Sequence, residues 1–119
     1  MNQQQLTRRD LVKLVGEGSY VGIRIRPFEC RVYRPDGNEL PWRLDLRDHS
    51  PTGLEWGFFG SGPAQLSLAI LADCMGDEAA LEFYQRFKQK VIGHLPYEGW
   101  VLSPATIDLA IEEIAEKGG

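Results

Sequence analysis

Apolar and polar residues alternate along three short segments in the first half of the chain. The segments are residues 20–26, 29–34 and 38–46, and the third carries four apolar residues in phase: Leu40, Trp42, Leu44 and Leu46. A period of two is typical of strands with one buried face. Between the second and third segments, the sequence RPDG predicts a tight turn. We therefore expect a small antiparallel sheet of about three strands over residues 20–46.

The second half of the chain changes to the helical period of 3.6 residues. Residues 63–75 are apolar on almost every side, which is typical of a buried helix. Residues 78–92 and 105–117 each carry one apolar stripe. A short helix is also expected after Thr7, where Thr7 and Asp10 resemble a capping box. The expected fold class is α+β: one domain over residues 1–119, disordered at 1–6, with two to three helices within 63–117 covering the sheet.

The charge is small and unevenly spread. Residues 1–48 carry 9 Lys/Arg and 7 Asp/Glu, a balance of +2, whereas residues 49–119 carry 4 and 10, a balance of −6, and together these give the net charge of −4. This balance argues against general nucleic-acid binding. The arginines of the first half suit contacts with carboxylate or phosphate, or an exposed sheet face that nearby acids balance.

No segment predicts a membrane span or a secretory signal. The longest uninterrupted apolar run covers residues 68–72, and the first ten residues lack the apolar core of a signal peptide. We therefore expect a cytoplasmic protein whose Cys30 and Cys74 are reduced and partly buried. An apolar sheet face or an open edge strand would allow self-association into a homo-oligomer.

The segment HSPTGLEWGFFGSGPAQLSLAI, residues 49–70, carries the strongest candidate site. Its glycines permit a tight bend, and a helix begins directly after them. The free N–H groups of a helix start form a natural anion site, to which Arg43 or Arg47 could add charge. The candidate ligand-binding residues are Arg47, His49, Ser50, Trp56, Gly60, Ser61, Gly62 and Gln65. An alternative of equal weight is that the glycines only permit close packing of helix on sheet.

The run Asp48-His49-Ser50 raises the alternative of a small enzyme. His49 could act as a general base that Asp45 or Asp48 orients. No activated nucleophile is identifiable beside it, so we expect no catalytic residue. A metal or other cofactor is also not expected, because the chain has two histidines and no CxxC or HExxH spacing.

The aromatic residues of the segment have two interpretations. One is that Trp56, Phe58 and Phe59 pack at the junction of sheet and helix. The other is that they stack on a base or contact a protein partner. We expect Glu55 to be exposed or paired with an arginine such as Arg43. The acidic helix at residues 105–117 is a further candidate surface for binding a protein.

The run LRDHSPTGLEWGFFGSGPAQLSLAIL, followed by GDEAALEFYQRFKQKVIGHLPYEGW, resembles an uncharacterised domain family found in phages, plasmids and bacteria. That family shares a pattern close to LRxHSPxGxxWGYxGSGPAQLALAIL, and Phe58 stands where it often has tyrosine. The resemblance implies no known activity, but it implies a mobile-element context. We therefore expect a small non-enzymatic binding protein, a counter-defence factor that binds a host protein or a nucleotide-like anion.

Overall fold

A computed structural model describes residues 6–117, which form three antiparallel strands and four α-helices. The strands are β1 (Tyr20–Arg26), β2 (Glu29–Tyr33) and β3 (Gly99–Leu102). The helices are α1 (Arg8–Leu14), α2 (Ser61–Met75), α3 (Asp77–Lys90) and α4 (Pro104–Glu116), and a 3-10 turn (Ile92–His94) follows α3. The predicted α+β class is confirmed. Most of the N-terminal segment predicted to be disordered, residues 1–5, lies outside the described part, as do residues 118–119.

Strand β1 lies at the centre of the sheet. It pairs antiparallel with β2 on one side and with β3 on the other. Gly22 of β1 faces Trp100 of β3, and a Cβ atom built on Gly22 would lie 2.3 Å from the indole ring. Glycine is therefore needed at this position for the inner face of the sheet to hold the ring.

The prediction of a strand over residues 38–46 is wrong. Only Glu39 forms a β-bridge, with Tyr33, and the residues after it are irregular. Pro41 has no N–H group to continue the ladder, and Arg43 has a φ of 59°, a left-handed conformation that ends extended structure. Strand β2 therefore ends at Tyr33, and residues 40–46 add no regular strand beside it. The third strand of the sheet is Gly99–Leu102, which pairs with β1.

Helix α2 forms the centre of the main core. All its residues from Gly62 to Ala72 are buried, as their apolar character predicted. Helix α3 packs against α2, and α4 packs against α3. Their buried stripes are Ala80, Tyr84 and Phe87 on α3, and Ile107, Ala110, Ile111 and Ile114 on α4. Burial of one large aliphatic or aromatic side chain contributes about 1.5–3 kcal/mol, so this layer supplies most of the driving force for folding.

Helix α1 covers the opposite face of the sheet. Its Leu11 forms a second small core with Val21 and Ile23 of β1. The predicted capping box is present, since the Thr7 hydroxyl accepts from the Asp10 N–H and the Asp10 carboxylate accepts from the Thr7 N–H. None of the described helices is long and apolar enough to cross a membrane.

Candidate functional site

The glycine bend before α2 is a packing junction. Gly60 is the N-cap of α2, and a Cβ atom there would lie 2.8 Å from the Phe58 ring. A Cβ atom on Gly62 would lie 2.6 Å from the Cβ of Glu55. A side chain at Gly62 would therefore push α2 away from the segment that leads into it, whereas one at Gly60 would displace the half-exposed Phe58 ring. This geometry accounts for Gly62 without a ligand.

Gln65 is buried and fully engaged with the backbone of the preceding loop. Its Oε1 accepts from the N–H groups of His49 at 2.8 Å and Ser50 at 3.2 Å, and its Nε2 donates to the Trp42 carbonyl at 2.7 Å. A side chain with 0% exposure and these three bonds has no room for a ligand. Gln65 therefore fastens the loop to α2.

His49 is half-buried, and its ring packs against Tyr84 of α3. Its Nε2 lies 2.7 Å from the Tyr84 hydroxyl. Ser50 is buried, and its hydroxyl donates to the Gly53 carbonyl at 2.6 Å. Arg47 is exposed and donates to the carbonyl of Leu46. The structure therefore does not bring His49, Ser61 and Gln65 together around one opening.

An ion pair between Arg24 of β1 and Glu55 organises the surface beside the bend. The guanidinium makes two hydrogen bonds to the carboxylate, at 2.7 Å and 2.9 Å. Its Nε also donates to the Tyr97 carbonyl, and its plane lies 4.0 Å from the centre of the Tyr97 ring. The indole N–H of buried Trp56 donates to carbonyls of the same loop, at Pro96 and Tyr97. Sheet, loop and bend are thus joined at one point.

The pair keeps both groups ionised. The hydrogen bond to Glu55 raises the pKa of Arg24 despite its burial. Burial pushes the pKa of Glu55 upward, but the hydrogen bonds and charge of Arg24 outweigh it and hold the pKa below its ordinary value. Arg24 has only 4% of its side chain exposed, against 24% for Glu55. Arg24 is therefore the group that depends more strongly on its partner.

The sequence predicted Glu55 to be exposed or paired with an arginine such as Arg43; the arginine partner is confirmed, but it is Arg24 and not Arg43. Arg43 pairs instead with Asp45 and Asp77 at the start of α3. One sequence signal does point to Arg24: it shares a strand face with Tyr20 and Gly22, which face the core. An arginine at the end of a buried face needs an acidic partner.

Two adjoining depressions flank the ion pair, with volumes of about 370 and 400 Å³. They share Phe28, Glu55 and Phe58. We call them together the aromatic groove, because its lining includes four exposed aromatic side chains, Phe28, Trp42, Phe58 and Tyr97. Among the predicted site residues, Ser50, Trp56, Ser61 and Gly62 line this groove, whereas Arg47, His49, Gly60 and Gln65 do not.

The charged side chains that line the groove are all paired. Arg31 contacts Glu29 at 3.0 Å and Glu39 at 3.4 Å, and Arg24 is held by Glu55. Burial raises the pKa of the Cys30 thiol to about 12, so the thiol is neutral. Within residues 6–117, no cluster of three or more His, Cys, Asp or Glu side chains is arranged to hold a metal ion. Both Cys30 and Cys74 are free and half-buried, as the sequence predicted.

A family model covers the part of the chain that contains the aromatic groove. A model of a family of unknown function, DUF6166, matches residues 20–113, well over half of the chain. The chain belongs to this family. The match begins at β1 and ends within α4, so it includes the sheet, the glycine bend and all residues of the aromatic groove. Searches of curated proteins and of solved structures found no significant match.

Proposed function

We propose that this chain is a non-enzymatic binding protein whose aromatic groove receives part of a partner protein. The observation that carries the proposal is Phe28, which is 97% exposed at the tip of the β1–β2 hairpin, beside half-exposed Phe58. Neighbouring exposed aromatic side chains on a rigid framework mark interaction surfaces. Such residues also supply a large share of binding energy in protein interfaces.

The charges of the groove favour a protein over a nucleotide-like anion. A free cation would strengthen the binding of a phosphate, but Arg24 and Arg31 already contact carboxylates. At the start of α2, an anion would also share the groove with Glu29 and Glu55. An uncharged, apolar surface of a protein meets no such repulsion.

The alternative of an enzyme with His49 as its base has less support. Its Nε2 is engaged with Tyr84, and its ring does not line the groove. The hydroxyl of Ser50 donates to a carbonyl within its own turn, so it does not face His49 as a nucleophile would.

The resemblance of residues 46–100 to a family found in phages and plasmids extends the proposal. A small protein carried by a mobile element acts inside a bacterial host, so we propose that the partner is a host protein and that binding counters a host defence. The acidic face of α4 is the competing surface for such a partner.

The test is quantitative capture from a bacterial lysate with matched variants. Phe28→Ala combined with Phe58→Ala removes two walls of the groove. Phe59→Ala is the control, because Phe59 has the same 49% exposure as Phe58 but packs against Gly93 and His94. A reversal variant, Glu112→Lys with Glu113→Lys, tests α4. The captured proteins are then purified, and their affinities for each variant are measured by calorimetry.

We expect a partner that the control variant retains and the groove variant loses, with affinity reduced about 100-fold or more, as for two interface aromatics that contribute about 1.4 kcal/mol or more each. Loss of binding only in the α4 variant would refute the groove. A thermal-shift screen with mono-, di- and cyclic nucleotides at millimolar concentration should show no stabilisation. A clear shift would instead support the anion alternative.

A further inference from the structure

Strand β2 lies at an edge of the sheet, and the chain itself covers only its second half. The Leu40 N–H donates to the Val32 carbonyl at 2.9 Å, and the Arg34 N–H donates to the Asn38 carbonyl at 2.7 Å. Residues 38–40 thus form a short strand-like cover. The cover ends at Pro41, which has no N–H group, and the chain then turns away towards Gln65 through the Trp42 carbonyl.

The backbone of Cys30 faces the open half of this edge. Cys30 is opposite Arg24 in the ladder, and the Arg24 N–H points the other way, to the Glu98 carbonyl on the β3 side. Because backbone groups alternate in direction along a strand, the N–H and carbonyl of Cys30 point outward, as those of Val32 do. By this register the Cys30 N–H and carbonyl do not face β1, and the carbonyl accepts a 3.4 Å contact from the exposed Arg31 side chain.

The depression of about 370 Å³, one of the two that form the aromatic groove, lies beside this edge. Residues 28–31 form one wall, and residues 52–55 with the first turn of α2 form the other. Because neighbouring strands lie about 4.8 Å apart, a strand added to the edge of β2 would run along the wall formed by residues 28–31. The arginines and carboxylates of both walls are paired, so the depression offers outward-facing backbone groups and aromatic surface but no unpaired charge.

We infer that the aromatic groove binds an extended, uncharged apolar segment of its partner, which adds as a strand to β2 through the backbone of Cys30. Main-chain hydrogen bonds then fix the segment, and alternate side chains contact Phe28, Trp42 and Phe58. This inference rests on the proposed function, because it specifies how the same groove holds its partner.

The test uses peptides selected from a displayed library of random linear 12-residue sequences. Cys30→Pro removes the outward N–H and places a ring in its position, and an edge strand tolerates proline there. Cys30→Ala is the reference, since it lacks the thiol but keeps the N–H. Binding of the selected peptides to the two variants is compared by calorimetry, with thermal unfolding to check that both are folded. Amide hydrogen exchange of Cys30 is followed with and without peptide.

We expect selected peptides with apolar residues at every second position, bound about tenfold or more weakly by Cys30→Pro than by Cys30→Ala. In the free protein the Cys30 amide should exchange faster than that of Arg31, which faces β1, and peptide should slow it. Equal binding by the two variants would overturn strand addition, as would peptides of helical period or no selected peptides. If the two Cys30 variants bind a peptide equally but Phe28→Ala with Phe58→Ala no longer binds it, strand addition is refuted and the proposed function is still supported. A protein that is already dimeric, with a protected Cys30 amide, would show that a second copy occupies the edge.

Discussion

Removing the charge of Glu55 should destabilise the fold more than removing an equivalent charge at the surface. In Glu55→Gln, Arg24 keeps its bonds to the carbonyls of Tyr97 and Pro27 but loses the carboxylate that it contacts within residues 6–117. Breaking a fully buried pair costs about 3–5 kcal/mol. Because Glu55 is 24% exposed, water compensates in part, and we expect a loss of about 2–3 kcal/mol in the free energy of unfolding.

Thermal unfolding at pH 7 measures this loss. The unfolding entropy of about 2.1 cal/mol/K per residue, over 119 residues, amounts to about 0.25 kcal/mol/K. The expected loss therefore lowers Tm by about 8–12 °C. Glu39→Gln is the matched control, because Glu39 also pairs with a sheet arginine but is 62% exposed. An exposed pair of this kind should change Tm by about 2–4 °C at most.

The pH dependence of stability distinguishes the loss of the Glu55 charge from a change in side-chain packing. The pKa of Glu55 in the folded state lies below its ordinary 4.5, so its stabilisation is present above that value. It is lost as the pH falls through the lower folded pKa. The stability difference between Glu55→Gln and the unaltered protein should therefore shrink below about pH 4.5. A difference under about 0.5 kcal/mol at pH 7, or one that stays constant down to pH 3, would refute the reasoning.

Two further predictions concern the bend. Gly62→Ala should cost about 1–3 kcal/mol by thermal unfolding, because its Cβ would lie 2.6 Å from that of Glu55; Ser61→Ala, exposed at the same helix start, should stay within about 0.5 kcal/mol, and equal values would disprove close packing. Gln65→Leu should leave the N–H groups of His49 and Ser50 unpaired, cost about 2–4 kcal/mol and speed their amide exchange. Unchanged exchange would show that Gln65 does not hold the loop.

The helices could be predicted from the sequence because their stabilising pattern is local. The apolar run of α2 and the stripes of α3 and α4 depend on residues three and four apart, which the sequence displays directly. The third strand could not be predicted in the same way. Leu40, Trp42, Leu44 and Leu46 alternate as a strand would, but Pro41 interrupts the ladder and Gln65 draws the chain away. The path of this segment thus depends on Gln65, a residue far along the chain, and local periodicity does not reveal it.

The candidate ligand-binding residues stay a prediction: Ser50, Trp56, Ser61 and Gly62 line the groove, and the other four do not. The bend at residues 57–62 does adjoin the groove, because glycines and aromatic residues are local signals of close approach. The partner of Glu55 was missed because an ion pair between a strand and a loop 31 residues apart leaves no spacing pattern. Phe28 was missed because a single phenylalanine after a proline is not distinguishable from a core residue until the sheet is built.

The packing role of the glycines and the proposed binding role depend on each other. Gly62 lets α2 approach Glu55, and Glu55 in turn holds Arg24 against Tyr97. The part of the groove formed by Glu55, Arg24 and Tyr97 is therefore fixed by contacts within the chain. A preformed surface loses less conformational entropy on association than a flexible one. Under the proposed function, the bend therefore supports binding through the position of Glu55.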